Sequence, residues 1–587
     1  MDDRFSRNNF LVATIILFIS AIVLTFPLFF KITTHIPGFF STDETYGTLW
    51  SYWRIKYAIA HHLSLLKTDL IAYPFGFNLY SGYFSFLWLF WTHILSIFTT
   101  AVLAHNIQIF LNIFLTGIIT YLLTFYITRN YYSAIFSSLI FAYCPYQFAR
   151  IWQHLGLTYN QWIPLVLLAA IMLKDSQDSR KRQFLFFISI LLALSFDWTV
   201  MYLCFITLSC FLVYLAISRR SSDLIAYFGK VFLIGIAVLI VLSPQFFLLV
   251  TYMFKAQPSA QIGAHNSFHR SFEDLFTQSA RPLSYLLPSP AHPIFGKFTE
   301  SFIGNPLYGE SFTEHTLYLG WSVIIMAFFV FQKWRKRIFE GVDRFYVSFF
   351  LFLMLAAWVF SQPPWWNIFG FKIYMPSFFM YKLMPMFRAY CRFGIVVMLA
   401  AAVLAGFGLK FILANVRSQV GKLAITIFLC GIVLFEFWNY PSFKVIDVNR
   451  LPKVYYWLKE QPGDIVVAEY PLDIVGPNEK YKFYQTTHEK KIINGTIPGT
   501  YPHQVAETII KLSKLETTRK LRDMGVRYVL VHRDGYLKTE LVEDSEELSN
   551  LSGNTDLNLI KRFPPEDCLT QGQMCINKTD SIDVYKE

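Results

Sequence analysis

Uncharged apolar runs recur through the first three quarters of the chain, separated by short basic connections and by a few long mixed segments. A membrane-spanning helix needs about 20 mostly apolar residues. Such runs are expected at 10–30, 106–128, 131–146, 160–173, 184–196, 199–217, 231–250, 316–332, 345–361, 394–414 and 423–438, eleven in all and several of them short. The first is too long for a removable signal peptide and lacks a small-residue cleavage site, so it reads as a retained anchor. After residue 438 the pattern changes. Short β-branched runs at 465–468, 527–531 and 581–585 alternate with helix-like stretches such as 454–459 and 507–521, the signature of an α/β domain. The expected fold class is a polytopic α-helical membrane protein of about 11 spans over 1–438, followed by an extracytoplasmic α/β domain over 439–587.

Composition agrees with the pattern. Of 587 residues, 55% are hydrophobic and 15% charged, and the mean hydropathy is +0.41, whereas soluble domains carry about 25% charged residues. In a soluble protein a net charge of +12 would suggest nucleic acid. Here it reflects basic loops facing lipid phosphates, and nucleic acid is excluded as a partner.

The basic connections set the orientation. Arg4 and Arg7, Arg129, the run 174–182, Arg219 with Arg220, the cluster 333–337, and Arg417 with Lys422 fall on one side if spans alternate, which makes the N-terminus cytoplasmic. The apolar stretch 84–103 would invert everything downstream if it crossed, and is read as re-entrant or interfacial. The long segments 31–105, 251–315 and 361–393 then lie outside, together with the C-terminal domain, in the multi-pass cell-membrane protein expected here. Cys568 and Cys575 bracket a short polar loop in that domain. In an oxidising compartment they are expected to form a disulfide worth about 2–3 kcal/mol.

Candidate chemistry gathers at the outer ends of the spans. In Ser41-Thr42-Asp43-Glu44-Thr45-Tyr46, Thr42 or Asp43 can cap the amphipathic stretch that follows. A carboxylate held at the membrane surface can equally act as a general base or bind a divalent cation, Mg or Mn. Asp197, between two apolar runs, is either a solvated turn residue or an acid with a role, because such an acid is costly without a partner. The segment 361–393 carries Lys372, Lys382, Arg388 and Arg392 and no acid. Lysines can snorkel to headgroups, whereas Arg388 and Arg392, four apart and entering a span, are expected on one helix face, where they can fork onto phosphate oxygens. Arg150 and His154 repeat that spacing on an expected outer turn and can face a sugar or phosphate. The segment 251–315 holds His265, His269, Glu273, Asp274, His292, Glu310, Glu314 and His315 without a spacing that implies a metal site.

A retained first helix, the Asp43-Glu44 pair after it, amphipathic juxtamembrane stretches, Tyr73-Pro74-Phe75-Gly76 and about a dozen spans resemble the GT-C superfamily of membrane glycosyltransferases. The segments Pro145-Tyr146-Gln147-Phe148-Ala149-Arg150, Glu314-His315-Thr316-Leu317-Tyr318-Leu319-Gly320 and Met384-Pro385-Met386-Phe387-Arg388-Ala389-Tyr390-Cys391-Arg392-Phe393 are similar to those of bacterial RgtA/B/C/D-like and YfhO-like membrane proteins. The resemblance covers roughly 10–440. It implies a GT-C-like fold and transfer of a sugar from a polyprenyl-phosphate-linked donor to an extracytoplasmic glycan, lipid or protein acceptor. It places the catalytic acid at Asp43 with Glu44 beside it, suggests Asp197 as an assisting acid, and favours Glu314 and His315 in the acceptor-side loop. The rival readings are a transporter or flippase of lipid-linked glycans, which would place acids or histidines at mid-membrane, and a noncatalytic membrane scaffold.

Overall fold

A computed structural model describes residues 7–38, 43–78, 90–91, 94–95, 97–218, 224–255, 271–439, 445–472, 477–496, 500–537, 542–564, 574–575 and 581–586. The chain divides into two compact units. The first comprises 1–30, 108–243 and 270–443, and the second 31–107, 244–269 and 444–587.

All eleven expected apolar runs are helices. Among the described residues eight are long and apolar enough to cross a membrane, including Arg7–Leu24, Ala101–Thr128, Trp198–Ser218, Gly341–Phe360 and Gln419–Glu436. The runs expected at 131–146, 184–196 and 316–332 form shorter helices of 12, 17 and 15 residues: Tyr131–Ala142, Arg180–Phe196 and Trp321–Arg335. Tyr131–Ala142 can be short because protein surrounds it, and its residues 133–142 are all buried. Its neighbour Gly394–Ala414 is buried along nearly its whole length. Small residues let the two backbones approach: Ser137 Oγ donates to the Ala402 carbonyl at 2.8 Å, and a Cβ on Gly406 would sit 2.2 Å from Ser137 Oγ. Residues 84–89, 92, 93 and 96 of the stretch 84–103 lie outside the described residues, and 101–103 open the helix Ala101–Thr128.

The second unit is built on a five-stranded mixed sheet in the order Asn558–Phe563, Ile582–Lys586, Val526–His532, Val466–Tyr470, Lys491–Ile492. Val526–His532 pairs parallel with Val466–Tyr470 and antiparallel with Ile582–Lys586. These three strands fall where β-branched runs predict them, because the centre of a sheet rewards apolar residues on both faces. The helix expected over 507–521 is instead two, Tyr501–Glu507 and Leu515–Asp523. Thr517 Oγ1 donates to the Lys511 carbonyl and holds the intervening turn.

The α/β region expected from residue 439 onward clusters with segments from far earlier in the chain. His35–Pro37 pairs antiparallel with Val445–Asp447, and the helix Asp43–Ala60 packs on Pro477–His488. There Tyr46 stacks on Phe483 at 5.5 Å, and Trp50 Nε1 donates to Gln485 Oε1 at 2.8 Å. Strand addition and aromatic burial are non-local, so the composition change at 439 could not reveal them.

Candidate functional site

In the first unit the candidate residues assemble around one buried carboxylate. The helix Pro145–Ile151 starts with proline at its first turn and is buried throughout, Arg150 included. The Arg150 guanidinium lies over the Tyr146 ring, 4.6 Å from its centroid. Its Nη2 donates to Glu314 Oε2 at 2.8 Å. Glu314 stands on the single turn Phe312–His315, which Ser311 caps by accepting from the Glu314 amide at 3.2 Å. From the opposite side Arg392 forks onto the same carboxylate, with Nη2 2.6 Å from Oε1 and Nε 3.2 Å from each oxygen. The Cys391 thiol donates to Oε2 at 3.2 Å, and His154 Nε2 lies 4.0 Å from Oε1.

Two guanidinium groups face one carboxylate, so the trio carries a net positive charge. Burial alone would raise the Glu314 pKa, but Arg150 and Arg392 outweigh it and hold the carboxyl well below its usual range. Burial works against the Arg150 cation, yet Glu314 shifts its balance upward. Glu314 is thereby an anchor for two cations. The cluster reaches solvent through Arg392 and His154, whose side chains are 21% and 17% exposed, against 0% and 6% for Arg150 and Glu314.

Asp197 adjoins this cluster. Its Oδ1 accepts from the Thr199 and Val200 amides at 2.8 and 3.1 Å, capping the helix Trp198–Ser218, and Thr199 Oγ1 accepts from Arg392 Nη1 at 3.2 Å. Burial raises the Asp197 pKa, against the lowering pull of those amides and of Arg392 and His154. Its Oδ2 presses on Gly156, where a Cβ would come within 2.6 Å.

One sequence expectation changes. Arg388 and Arg392 do not share a helix face: Arg392 sits in the 3-10 turn Tyr390–Phe393 and Arg388 precedes it outside any helix. Each has its own carboxylate, Arg388 Nη1 lying 2.9 Å from Asp274 Oδ2. Arg150 and His154 both approach the Glu314 carboxylate although the helix ends between them, His154 standing just before the 3-10 turn Leu155–Thr158. His315 turns to the backbone, its ring nitrogens 3.1 Å from the Ser311 and Ser279 carbonyls, and burial lowers its pKa.

Asp274 and Cys391 were named from the sequence without a role, Asp274 as one of the acids of 251–315 and Cys391 within the segment 384–393. A charge argument was available for Asp274: the acid-free segment 361–393 needs its counter-charges from elsewhere, and 251–315 holds the acids.

Asp43 and Glu44 belong to the second unit, where they open the helix Asp43–Ala60, and Glu44 is exposed. One turn on, Gly47 lets this helix close onto Glu479, whose Oε2 would meet a Cβ at 1.8 Å. Arg54, buried further along, donates to Thr68 Oγ1 at 3.1 Å and to the Ser64 and Lys67 carbonyls at 2.9 and 3.0 Å. The start of the helix is thus fixed by packing on Pro477–His488. Among the described residues no group of three or more His, Cys, Asp or Glu side chains is arranged to hold a metal. Cys568 and the Cys575 side chain lie outside the described residues, as does the disulfide expected between them.

A first unit made of helices and one two-stranded hairpin, with its polar cluster at short helices and turns, is an arrangement that solved structures share. The whole chain superposes on the arabinofuranosyltransferase AftD from Mycobacteria with a TM-score of 0.59 and 13% identity, covering 100% of this chain and 40% of AftD. An oligosaccharyltransferase from Archaeoglobus fulgidus matches with a TM-score of 0.53 and 12% identity over 91% of this chain and 71% of its own. ArnT from Cupriavidus metallidurans, solved bound to undecaprenyl phosphate, gives 0.52 and 11% over 97% of both chains. The chain therefore shares its fold with these proteins, and its eight described span-length apolar helices make it a multi-pass membrane protein. The chain spans about 40% of the length of AftD. No protein-family model and no curated protein matches the sequence.

Proposed function

We propose that this protein is an integral-membrane glycosyltransferase moving a sugar from a polyprenyl-phosphate-linked donor to an extracytoplasmic glycan, lipid or protein acceptor. The observation that carries the reading is the net-positive Arg150–Glu314–Arg392 cluster, held on short helices and turns and open through Arg392. Undecaprenyl phosphate bound to ArnT supports the donor class.

In the reaction the acceptor oxygen bonds to the anomeric carbon as the bond from that carbon to the phosphate oxygen breaks. Asp43, with Glu44 beside it, takes the acceptor proton. The electron pair leaves on the lipid phosphate, where Arg392 and Arg388 stabilise the growing negative charge. Glu314 holds Arg392 in place, and Arg150, His154 and His315 shape the surroundings of the sugar. Asp197 assists through Arg392 and His154. The paired carboxylates of Asp43 and Glu44 are hard oxygen donors suited to Mg or Mn, and such an ion would polarise the acceptor hydroxyl. The N-terminus faces the cytoplasm, and the chemistry takes place outside.

Transfer of labelled sugar from a polyprenyl-phosphate donor by purified protein in vesicles tests the assignment. Asp43→Asn is expected to leave the protein folded and lower transfer at least about a hundredfold. A loss in Glu44→Gln with Asp43→Asn silent would exchange the roles within the pair, and silence of both would end the enzyme reading.

A further inference from the structure

The segment between the spans Gly341–Phe360 and Tyr390–Ala414 contains a two-stranded hairpin, Trp365–Ile368 paired with Phe371–Tyr374, followed by the helix Pro376–Leu383. Pairing puts Trp365 opposite Tyr374, Trp366 opposite Ile373, Asn367 opposite Lys372 and Ile368 opposite Phe371. Side chains alternate between faces, so one face carries Trp365, Tyr374, Asn367 and Lys372. The other carries Trp366, Ile373, Ile368 and Phe371, all apolar.

The mixed face is anchored in the protein. The Trp365 ring lies 4.8 Å from Phe276 and 5.7 Å from Phe272, and Lys372 Nζ sits 4.7 Å over Trp365. The apolar face meets Trp358 of the preceding span at Trp366, 5.6 Å between rings, and is otherwise open. Phe371 is 77% exposed and Phe369, at the tip, 97%. Phe369 and Gly370 have φ of 50° and 85°, the geometry of a tight turn whose first position asparagine fills at lower cost than phenylalanine. The fold gains nothing from an aromatic ring there, so any gain comes from what lies outside the protein. On Pro376–Leu383, Ser377 and Tyr381 face inward, while Phe379 and Leu383, one turn apart, are exposed.

We propose that this hairpin and helix form a membrane-interface element, their apolar side among the acyl chains of the leaflet and Lys372 and Lys382 at anionic headgroups. Three observations select the bilayer as the occupant. The element is tethered within a few residues of a span at each end. Its apolar face continues that of Gly341–Phe360, where Trp358 touches Trp366 and Leu355, one turn earlier, is exposed. Its charges are all positive, and 361–393 contains no acid. Aromatic side chains on one face with lysines at its margin are the composition of interfacial anchors. The inference is independent of the transfer reaction proposed above.

Nitroxide labels on Phe369→Cys, Phe371→Cys and Asn367→Cys, in full-length protein reconstituted into phosphatidylcholine vesicles with and without phosphatidylglycerol, test it. Labels at 369 and 371 are expected to collide with oxygen in preference to a water-soluble nickel chelate, placing them about 5–10 Å below the headgroups, and the label at 367 to show the reverse. Preference for nickel at 369 and 371 would put the hairpin in water and overturn the proposal. Labels reached by neither reagent would mean that protein covers the face, and would overturn it equally. Phosphatidylglycerol is expected to deepen the label at 369, and Lys372→Gln with Lys382→Gln to abolish that response; equal depth in both vesicles overturns the headgroup pairing.

Discussion

Glu314 in the first compact unit and Glu469 in the second are the most deeply buried glutamates of each among the described residues, and they are satisfied by different means. Glu314, in the first, is gripped by the guanidinium groups of Arg150 and Arg392. Glu469, in the second, meets a tyrosine and a histidine. Its Oε2 accepts from Tyr455 Oη at 2.6 Å and lies 2.9 Å from His532 Nε2, while its backbone amide and carbonyl pair with the Asn494 side chain at 2.9 Å each. Tyr455 is stacked on Tyr484 at 4.3 Å, and burial raises the Tyr455 pKa. The second network fastens Val466–Tyr470 to its neighbours and contains no arginine or lysine. The first assembles more positive charge than its folding needs, and a buried ion pair contributes little net stability over an apolar replacement. The second unit has a doubly paired carboxylate of its own, Asp583, met by Arg533 and Arg562, but those arginines are 38% and 56% exposed, whereas Arg150 and Arg392 are 0% and 21%. What sets the first cluster apart is the burial of its cations.

The sharpest way to break this contrast is to remove the anchoring charge. Glu314→Gln leaves two buried guanidinium groups uncompensated and is expected to cost about 3–5 kcal/mol, read as a fall in the melting temperature of the purified protein in vesicles. A loss below about 1 kcal/mol would mean that water already compensates the arginines.

A smaller effect, of about 2 kcal/mol, is expected from acid in the second unit. Burial lowers the His488 pKa to about 3, and its Nδ1 accepts from the Lys490 amide at 3.0 Å. Between pH 6.5 and 3 the unfolded chain binds a proton there that the folded chain does not, so the stability contributed by the neutral ring declines as pH falls below about 6.5. Glu314 has the same sign in a lower window. Its contribution is complete above the unfolded carboxylate range of about 4.3 and is lost only as pH drops toward its depressed folded value. His488→Asn keeps an acceptor for Lys490 and is expected to lessen the destabilisation between pH 7 and pH 5, measured by hydrogen exchange in 477–492. An unchanged pH response would show that other histidines dominate.

The mildest test is Tyr455→Phe, expected to cost about 1 kcal/mol because His532 still serves the same carboxylate oxygen. Its effect should appear as faster exchange in Val466–Tyr470 with sugar transfer intact. An equal loss of transfer would erase the distinction between a network for architecture and a cluster for chemistry.

How far the sequence reached differs between these regions. Every apolar run became a helix and the three central strands were legible, because hydrophobic period and β-branching are local properties. Arg150, His154 and Arg392 were marked as candidates by charge lying next to a span, and Glu314 only through the family resemblance. Their convergence on one carboxylate was not legible, since it joins residues 164 and 78 positions apart. The separation of Arg388 from Arg392 was hidden for a related reason. A four-residue spacing implies a shared face only inside an α-helix, and the chain enters this span through a 3-10 turn.

What the sequence determined by itself is the solvent in which the chain lives: 15% charged residues against 55% hydrophobic, distributed in apolar runs, leave a bilayer as the stable environment whatever the contacts turn out to be. What the tertiary structure decided is the pairing. It chose that His35–Pro37 should share a sheet with Val445–Asp447, and that Glu314 should face two arginines while His315, the next residue, turns to backbone carbonyls. Burial depends on a residue and its immediate neighbours, so composition carries it. Which buried charge meets which depends on where distant segments are brought together, and only the packed fold fixes that.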